Sequence, residues 1–235
     1  MTSRERILAT LERRPVDRPP VDIWHTPEVV AALQAHFGVE DERGVWRALG
    51  VDKIVWVFMD YRSASGESTG SQVGAGAESA TTRTMWGVPL KGIQAGAAHY
   101  EEFGEAPMAD CETAADVEAY AFWPDPDRFD YDAADRAARA AVGEYAVIGP
   151  WVSFFEIYCQ VRGLEQSMID LALAPDLVDV ILDRIEAIQT SMMERFFART
   201  GDALDLVFIS DDIAGQTNLL MSPAMWERHL KPRME

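Results

Sequence analysis

Short apolar runs alternate with amphipathic segments along most of the chain. Four runs have the length and composition of buried strands: VDIW (21–24), KIVWVFM (53–59), YAVIGPW (145–151) and DLVFIS (205–210). Between them lie segments whose apolar residues recur every three or four positions, which is typical of amphipathic helices. Strands that alternate with helices in this way favour an α/β fold with a parallel sheet.

Capping residues mark where several helices begin. Thr2 and Glu5 have capping-box spacing and predict a first helix, which the RRPVDRPP segment ends because proline supplies no backbone donor. Pro27 and Pro223 each follow a capping residue and predict helices that begin there. Other predicted helices run from Asp41 to Gly50, from Thr113 as N-cap, over 131–143, over 164–173 and from Pro175 onward.

One long stretch interrupts the alternation. Residues 61–109 are rich in Gly, Ser, Thr and Ala, and TRTMWGVPL (82–90) alternates polar with apolar positions. This pattern predicts a β-hairpin or extended excursion outside the main repeat, which could serve as a lid or be an ornament.

Composition limits the classes of partner. The chain has 235 residues, 48% of them hydrophobic, which favours one domain over 1–235. Its formal charge of −18 repels nucleic acids and anionic membranes, so neither is expected as a partner. The first residues lack the apolar core of a signal peptide, and no run of about 18 apolar residues follows, so a cytoplasmic location is expected. Cys111 and Cys159 are isolated and predict reduced thiols.

The number of strands defines the expected fold class. A closed (β/α)8 TIM barrel needs eight strands and typically about 250 residues. The sequence therefore predicts an α/β chain of TIM-barrel type with only about the first four βα units, plus an N-terminal helix and the hairpin excursion. Two explanations remain open: the natural protein continues past Glu235, or a half-barrel has its open edges covered by another chain.

Acidic residues follow two of the predicted strands. Asp211 and Asp212 come directly after the fourth strand, and Asp60 follows the second. Barrel enzymes carry catalytic groups at the carboxyl ends of their strands. Because neighbouring side chains alternate, one of the paired acids is expected to line a pocket, as a hydrogen-bond acceptor or a general base, while the other caps a turn. A capping role for both is the alternative.

Further candidate binding residues lie near strand ends. His25 follows the first strand and could donate a proton or act as a ligand, although a structural role beside a helix cap is the alternative. Trp24 and Trp151 could form an apolar wall for a flat macrocycle, or pack ordinarily. Gln216 can both donate and accept, which suits recognition of an amide or carboxylate.

Five segments, in order, resemble the uroporphyrinogen decarboxylase superfamily. This superfamily also holds cobamide-dependent methyltransferases, which move methyl groups between corrinoid proteins and thiols. The resemblance covers nearly the whole chain and rests on SRERILATLERRPVDRPPVDIW, LGVDKIVWVF, FWPDPDRFDYD, IGPWVSFFEIYCQVRGLEQSMIDLALAPDLVDVILDRI and FISDDIAGQTNLLMSPAMWERHLKPR.

The methyltransferase branch is the closer match. Its DD-x-x-x-Q arrangement corresponds to Asp211, Asp212 and Gln216, and VRGLEQ also matches. Decarboxylases carry an arginine-rich segment after the first strand, where this chain reads WHTPEVVAAL. We therefore expect a corrinoid-dependent methyltransferase with a thiol acceptor. Uroporphyrinogen decarboxylase is one alternative, and a non-catalytic, partner-binding half-barrel fragment is an alternative of another class.

The resemblance also implies cofactors and site residues. Methyltransferases of this branch use zinc, but their His-x-Cys pair and later Cys would lie beyond Glu235, so no metal ligand is assigned within the chain. Asp60 stands near the decarboxylase aspartate that binds pyrrole N–H groups, with Arg62 beside it, and Tyr158 lies near a family tyrosine. The implied partners are a small-molecule or corrinoid-protein substrate and a second copy in a homodimer.

Overall fold

The computed structural model describes residues 1–62, 68–69, 83–96 and 98–235. Its α-helices are α1 Ser3–Leu11, α2 Pro27–Phe37, α3 Glu42–Leu49, α4 Ala114–Glu118, α5 Tyr131–Ala141, α6 Phe155–Arg162, α7 Leu164–Leu173, α8 Pro175–Thr200, α9 Pro223–His229 and α10 Lys231–Met234. Its strands are β1 Ile54–Trp56, β2 Tyr61–Arg62, β3 Ser68–Thr69, β4 Leu90–Ala95, β5 Ala98–Phe103, β6 Ala146–Val152 and β7 Leu206–Ile209.

The central sheet is parallel and open. Its strand order is β1-β6-β7, with Trp56 beside Ile148, and Trp151 beside Phe208. The α/β architecture predicted from the alternating pattern is confirmed, and three of the four predicted strands are present. In the part of the chain that the structure describes, the sheet does not close, so the fold is consistent with part of an α/β barrel.

The predicted first strand, 21–24, is wrong. This segment forms no strand ladder, because side chains take several of its hydrogen-bonding groups. The Val21 N–H donates to Asp52 Oδ2 at 3.1 Å, and Lys53 Nζ donates to the Ile23 carbonyl at 2.8 Å. The Val21 carbonyl accepts a backbone hydrogen bond from Asp52, two residues before β1 begins. This apolar run therefore lies beside the start of β1 without forming a strand with it.

The excursion contains antiparallel pairs outside the parallel sheet. Strands β4 and β5 form a hairpin in which Leu90 pairs with Phe103 and Ala95 with Ala98. The hairpin thus lies at 90–103, further along than the predicted 82–90. Residues 63–67, 70–82 and 97 of the predicted excursion lie outside the described residues.

Helix α8 covers one face of the sheet. Its residues Ile181, Leu182 and Ile185 have no exposed surface and form the centre of the core. The helix approaches β6 closely at Gly149, where an added Cβ would lie 3.3 Å from the ring of Phe196. Strand β6 is almost entirely buried as a result.

Helix α1 closes the amino end of the sheet. The predicted capping box is present, since Thr2 and Glu5 exchange hydrogen bonds. Arg4 forms a bidentate ion pair with Asp205, whose carboxylate also accepts the Val147 N–H at 3.0 Å. No helix in the described ranges combines the length and apolar character needed to cross a membrane.

The other face and the β7 edge are open. Val207, Phe208 and Ile209 are 49%, 37% and 51% exposed, although all three are apolar. Side chains on a strand alternate between faces, so β7 exposes both of its faces. A closed barrel would bury these residues under the next βα unit.

Candidate carboxylate site at the strand ends

Asp211 lies just after β7 and binds the start of helix α6. Its Oδ1 accepts hydrogen bonds from the Ser153 hydroxyl and from the Glu156 N–H at 2.9 Å. Its Oδ2 accepts from the Phe154 N–H at 3.0 Å. The carboxylate therefore satisfies donors that the first turn of a helix leaves unpaired, and it joins the carboxyl ends of β6 and β7.

A buried amide holds the Ser153 backbone behind this carboxylate. Gln189 of α8 is 1% exposed and donates from Nε2 to the Ser153 carbonyl at 2.6 Å. Its Oε1 accepts the Ser153 N–H at 3.3 Å. The side-chain amide thus pairs with both backbone polar groups of Ser153, which fixes the loop between β6 and α6.

Glu156 is the carboxyl group with the most altered acidity at this end. It is half-buried in the first turn of α6. Burial raises its pKa from 4.5 to about 7, and the negative charges of Asp212 and Asp211 add to the rise. Asp212 itself is exposed. Burial also raises the pKa of Asp211, opposed by the hydrogen bonds that it accepts.

An aromatic surface lies on the open face of the sheet. We call it the aromatic face and define it as Trp24, Trp56, Phe58 and Phe208. The Trp56 ring contacts the other three, with centroid distances of 5.8 Å to Trp24, 5.7 Å to Phe58 and 5.1 Å to Phe208. Trp24 is 74% exposed, and Lys53 Nζ lies 5.7 Å from its ring centroid.

Trp151 joins the two strands beside the carboxylates. Its indole Nε1 donates to the Ser210 hydroxyl at 3.0 Å, directly before Asp211 in sequence. The side chain is half-buried. Trp24 therefore belongs to the aromatic face, whereas Trp151 holds β6 and β7 together at the acidic end.

The other predicted polar residues lie apart from the acid pair. His25 Nε2 is 3.1 Å from Glu42 Oε1, without hydrogen-bond geometry. The Asp60 side chain is exposed, and its carbonyl accepts the Asp130 N–H. Arg62 is exposed too, with Nη2 at 3.6 Å from Asp130.

Tyr158 and Gln216 occupy contrasting environments. Tyr158 has no exposed surface, and its hydroxyl lies 3.5 Å from the Asp170 carboxylate, which also pairs with Arg162 at 2.6 Å. Burial raises the pKa of Tyr158. Gln216 is exposed in the turn closed by the Ala214–Leu219 bridge. Neither residue forms a hydrogen bond or an ion pair with Asp211 in the described part of the chain.

Sequence reasoning missed Glu156 and Ser153. Both follow the carboxyl end of β6, and position after a strand was the available signal, because barrel sites are built there. The sequence instead favoured the adjacent acids after β7, because they form a visible pair. The described residues bring together no group of three His, Cys, Asp or Glu side chains that could hold a metal ion. Cys111 and Cys159 are free thiols and are half-buried.

The fold and the site define an α/β chain with acidic groups at the carboxyl end of a parallel sheet. No family model matches the chain, and no curated protein matches it in sequence. Among solved structures it is similar to a methyltransferase from Methanosarcina mazei, with a TM-score of 0.59 and 16% identity. The likeness covers 100% of this chain and 65% of that one, and at this identity it concerns the fold alone.

Proposed function

We propose that this chain belongs to a methyltransferase that moves a methyl group from a corrinoid donor to a thiol, at the carboxyl end of the sheet. The observation that carries the proposal is Glu156, half-buried beside the Asp211–Asp212 pair with a pKa of about 7. A carboxyl group with this acidity can take up and release a proton at neutral pH. The solved structure to which the chain is similar is a methyltransferase, which supports the same reaction class.

Glu156 would act as the general base. It would take the proton from the thiol, so that the sulfur could attack the methyl group that a bound corrinoid would supply, and it would then release this proton to solvent. Asp211 positions Glu156 by capping helix α6, since it accepts the Glu156 N–H.

The aromatic face suits a large, flat ligand. Trp24, Trp56 and Phe208 offer apolar rings against which a corrinoid could lie, and exposed Asp212 can accept N–H groups from its peripheral amides. When bound, the corrinoid supplies the methyl group. The described residues do not form a three-ligand metal site, so the family zinc does not fit them and no step is assigned to it.

The test uses methylcobalamin and 2-mercaptoethanol, with loss of the methylcobalamin spectrum and formation of the thioether as readouts. We expect turnover that falls at least about tenfold in Glu156→Gln, and no change in Glu165→Gln, which alters an exposed glutamate of α7. Transfer at equal rates in both variants would remove Glu156 from the mechanism. Release of CO2 from uroporphyrinogen without methyl transfer would identify the decarboxylase alternative.

A second candidate function follows from the open β7 edge. The exposed Val207, Phe208 and Ile209 favour a half-barrel that binds a protein partner along this edge, because unpaired apolar strands associate readily. The partner that we propose is a second copy of this chain. Light scattering during size exclusion should then give twice the mass of one chain.

The edge can be tested with matched lysine variants. Val207→Lys places a charge on the edge and should return the particle to the mass of one chain. Leu173→Lys changes an 80% exposed leucine at the end of α7 and should leave the dimer intact. A wild-type protein that stays at the mass of one chain at every concentration would reject this candidate and leave the methyltransferase proposal untouched.

A further inference from the structure

A cavity of about 600 Å³ opens at the amino end of the sheet. Its wall includes Asp52, two residues before β1, and Tyr145, the residue before β6. The cavity therefore lies at the opposite end of the sheet from Asp211. Its other polar and aromatic lining includes Arg6, Arg18, Trp46, Arg47 and Glu144. None of these residues belongs to the site proposed for methyl transfer.

The cavity is locally positive in an acidic protein. Three guanidinium groups and the Met1 ammonium group line it against the carboxylates of Asp52 and Glu144, and the carboxylate of Asp17 pairs with both Arg6 and Met1. The cavity therefore keeps an excess of one positive charge, whereas acids outnumber bases by 39 to 21 in the whole chain. Asp52 is 1% exposed and pairs with both Arg6 and Arg18. The buried carboxylate thus fixes two arginine side chains in the cavity wall.

Two arginines at the rim keep unused donors. Arg47 binds Glu144 through Nε at 3.0 Å and Nη2 at 3.3 Å, and its Nη1 has no partner in the described ranges. Arg18 uses both terminal nitrogens, on Asp52 and on the Pro19 and Gly50 carbonyls, which leaves its Nε–H without a described partner. The Arg18 and Arg47 side chains are 41% and 57% exposed, so a ligand can reach them.

Trp46 adds a buried donor in the same wall. The residue is 7% exposed, and its indole Nε1 has no hydrogen-bond partner among the described residues. Its ring packs edge-on against Tyr145, with centroids 5.3 Å apart. A bound acceptor would satisfy this buried N–H.

We propose that this cavity binds a small molecule through a phosphate group, from inorganic phosphate or a phosphate monoester. Donors from Arg18, Trp46 and Arg47 match the three oxygen acceptors of a phosphate, and guanidinium groups favour this anion. Binding here would join α3 to the segment after α1.

Titration calorimetry with inorganic phosphate and with glycerol phosphate tests the inference. Binding of both supports a site that reads the phosphate group alone, and binding of glycerol phosphate only assigns the site to esters. Absence of heat and of any thermal shift with either anion, up to about 10 mM, overturns the proposal.

Variants locate the site. Arg47→Met should weaken binding about tenfold, the loss of one charge-assisted hydrogen bond. Trp46→Phe removes the indole donor and keeps a ring, and should weaken binding several-fold. Trp86→Phe is the matched control, because Trp86 is 2% exposed with an unpaired Nε1 but lies in the core away from the cavity. Equal affinity in Trp46→Phe, Arg47→Met and wild type would overturn the assignment.

Discussion

The Ser153 hydroxyl donates to Oδ1 of Asp211, a residue 58 positions further along the chain. This bond joins the ends of two neighbouring parallel strands, and the same carboxylate caps helix α6. The two adjacent acids therefore have separate roles: Asp211 is engaged by the protein, and exposed Asp212 remains open to solvent or a ligand.

We predict that Asp211→Ala lowers the free energy of unfolding by about 2–4 kcal/mol. The variant leaves the Ser153 hydroxyl and two backbone N–H groups at the start of α6 without their acceptor. Urea denaturation followed by circular dichroism measures the change. Asp212→Ala is the control and should stay within about 0.5 kcal/mol of wild type. Similar losses in both variants would contradict the division of roles.

Glu156 predicts a pH-dependent difference in stability. Its pKa is raised in the folded protein from 4.5 to about 7, so between these values the folded state holds a proton that the unfolded chain has released. Its contribution favours folding at low pH and is lost as pH rises through 7. Glu156→Gln does not titrate, and we expect it to gain about 1 kcal/mol relative to wild type between pH 5 and pH 8, after discounting for solvent screening.

The measurement is a series of urea titrations from pH 5 to pH 8. Glu165→Gln serves as the control, because this exposed residue should leave the pH profile of the wild type unchanged. A constant difference between Glu156→Gln and wild type over the whole range would show that the Glu156 carboxyl titrates normally in the folded protein.

Much of the fold could be predicted because its signals are local. Capping residues and prolines placed the starts of α1, α2 and α9 correctly, and the apolar runs 145–151 and 205–210 became β6 and β7. The segment 21–24 failed for a tertiary reason. Its backbone groups meet the Asp52 carboxylate and the Lys53 ammonium group, and nothing in four apolar-rich residues encodes that competition.

The candidate site was harder to predict than the fold. The paired acids after β7 are visible as a motif, but their division of roles depends on Ser153 and Glu156, which are distant in sequence. The role of Gln189 could not be predicted either, because in the sequence it looks like any polar residue of a long helix. Its burial is decided by tertiary packing. Tyr158 was predicted as a site residue from its position in the sequence, but the structure holds it in the core beside Arg162 and Asp170.

The side-chain amide of Gln189 should contribute measurably to the stability of the fold. We expect Gln189→Leu to lower the free energy of unfolding by about 2–3 kcal/mol, because the Ser153 N–H and carbonyl would stay buried without partners. Gln189→Glu should also destabilise, since a buried carboxylate cannot donate to the Ser153 carbonyl. Gln166→Leu, a change in a half-buried glutamine of α7, is the milder comparison. Hydrogen exchange at the Ser153 amide should rise in Gln189→Leu, which removes the acceptor of this N–H, and should not rise in Gln166→Leu.

The attachment of α1 to the sheet depends on the contacts of Asp205. Its side chain is 8% exposed and accepts hydrogen bonds from Arg4 Nε, Arg4 Nη2 and the Val147 N–H. Asp205→Ala leaves the buried Val147 N–H unpaired and releases Arg4, so we expect a loss of about 2–4 kcal/mol in urea denaturation. Asp202→Ala removes a 72% exposed carboxylate that pairs with Arg139 on the surface, and should cost less than about 0.5 kcal/mol. If the two variants lost equal stability, the attachment of α1 would not depend on the buried pair, and its apolar contacts with β6 would have to hold it.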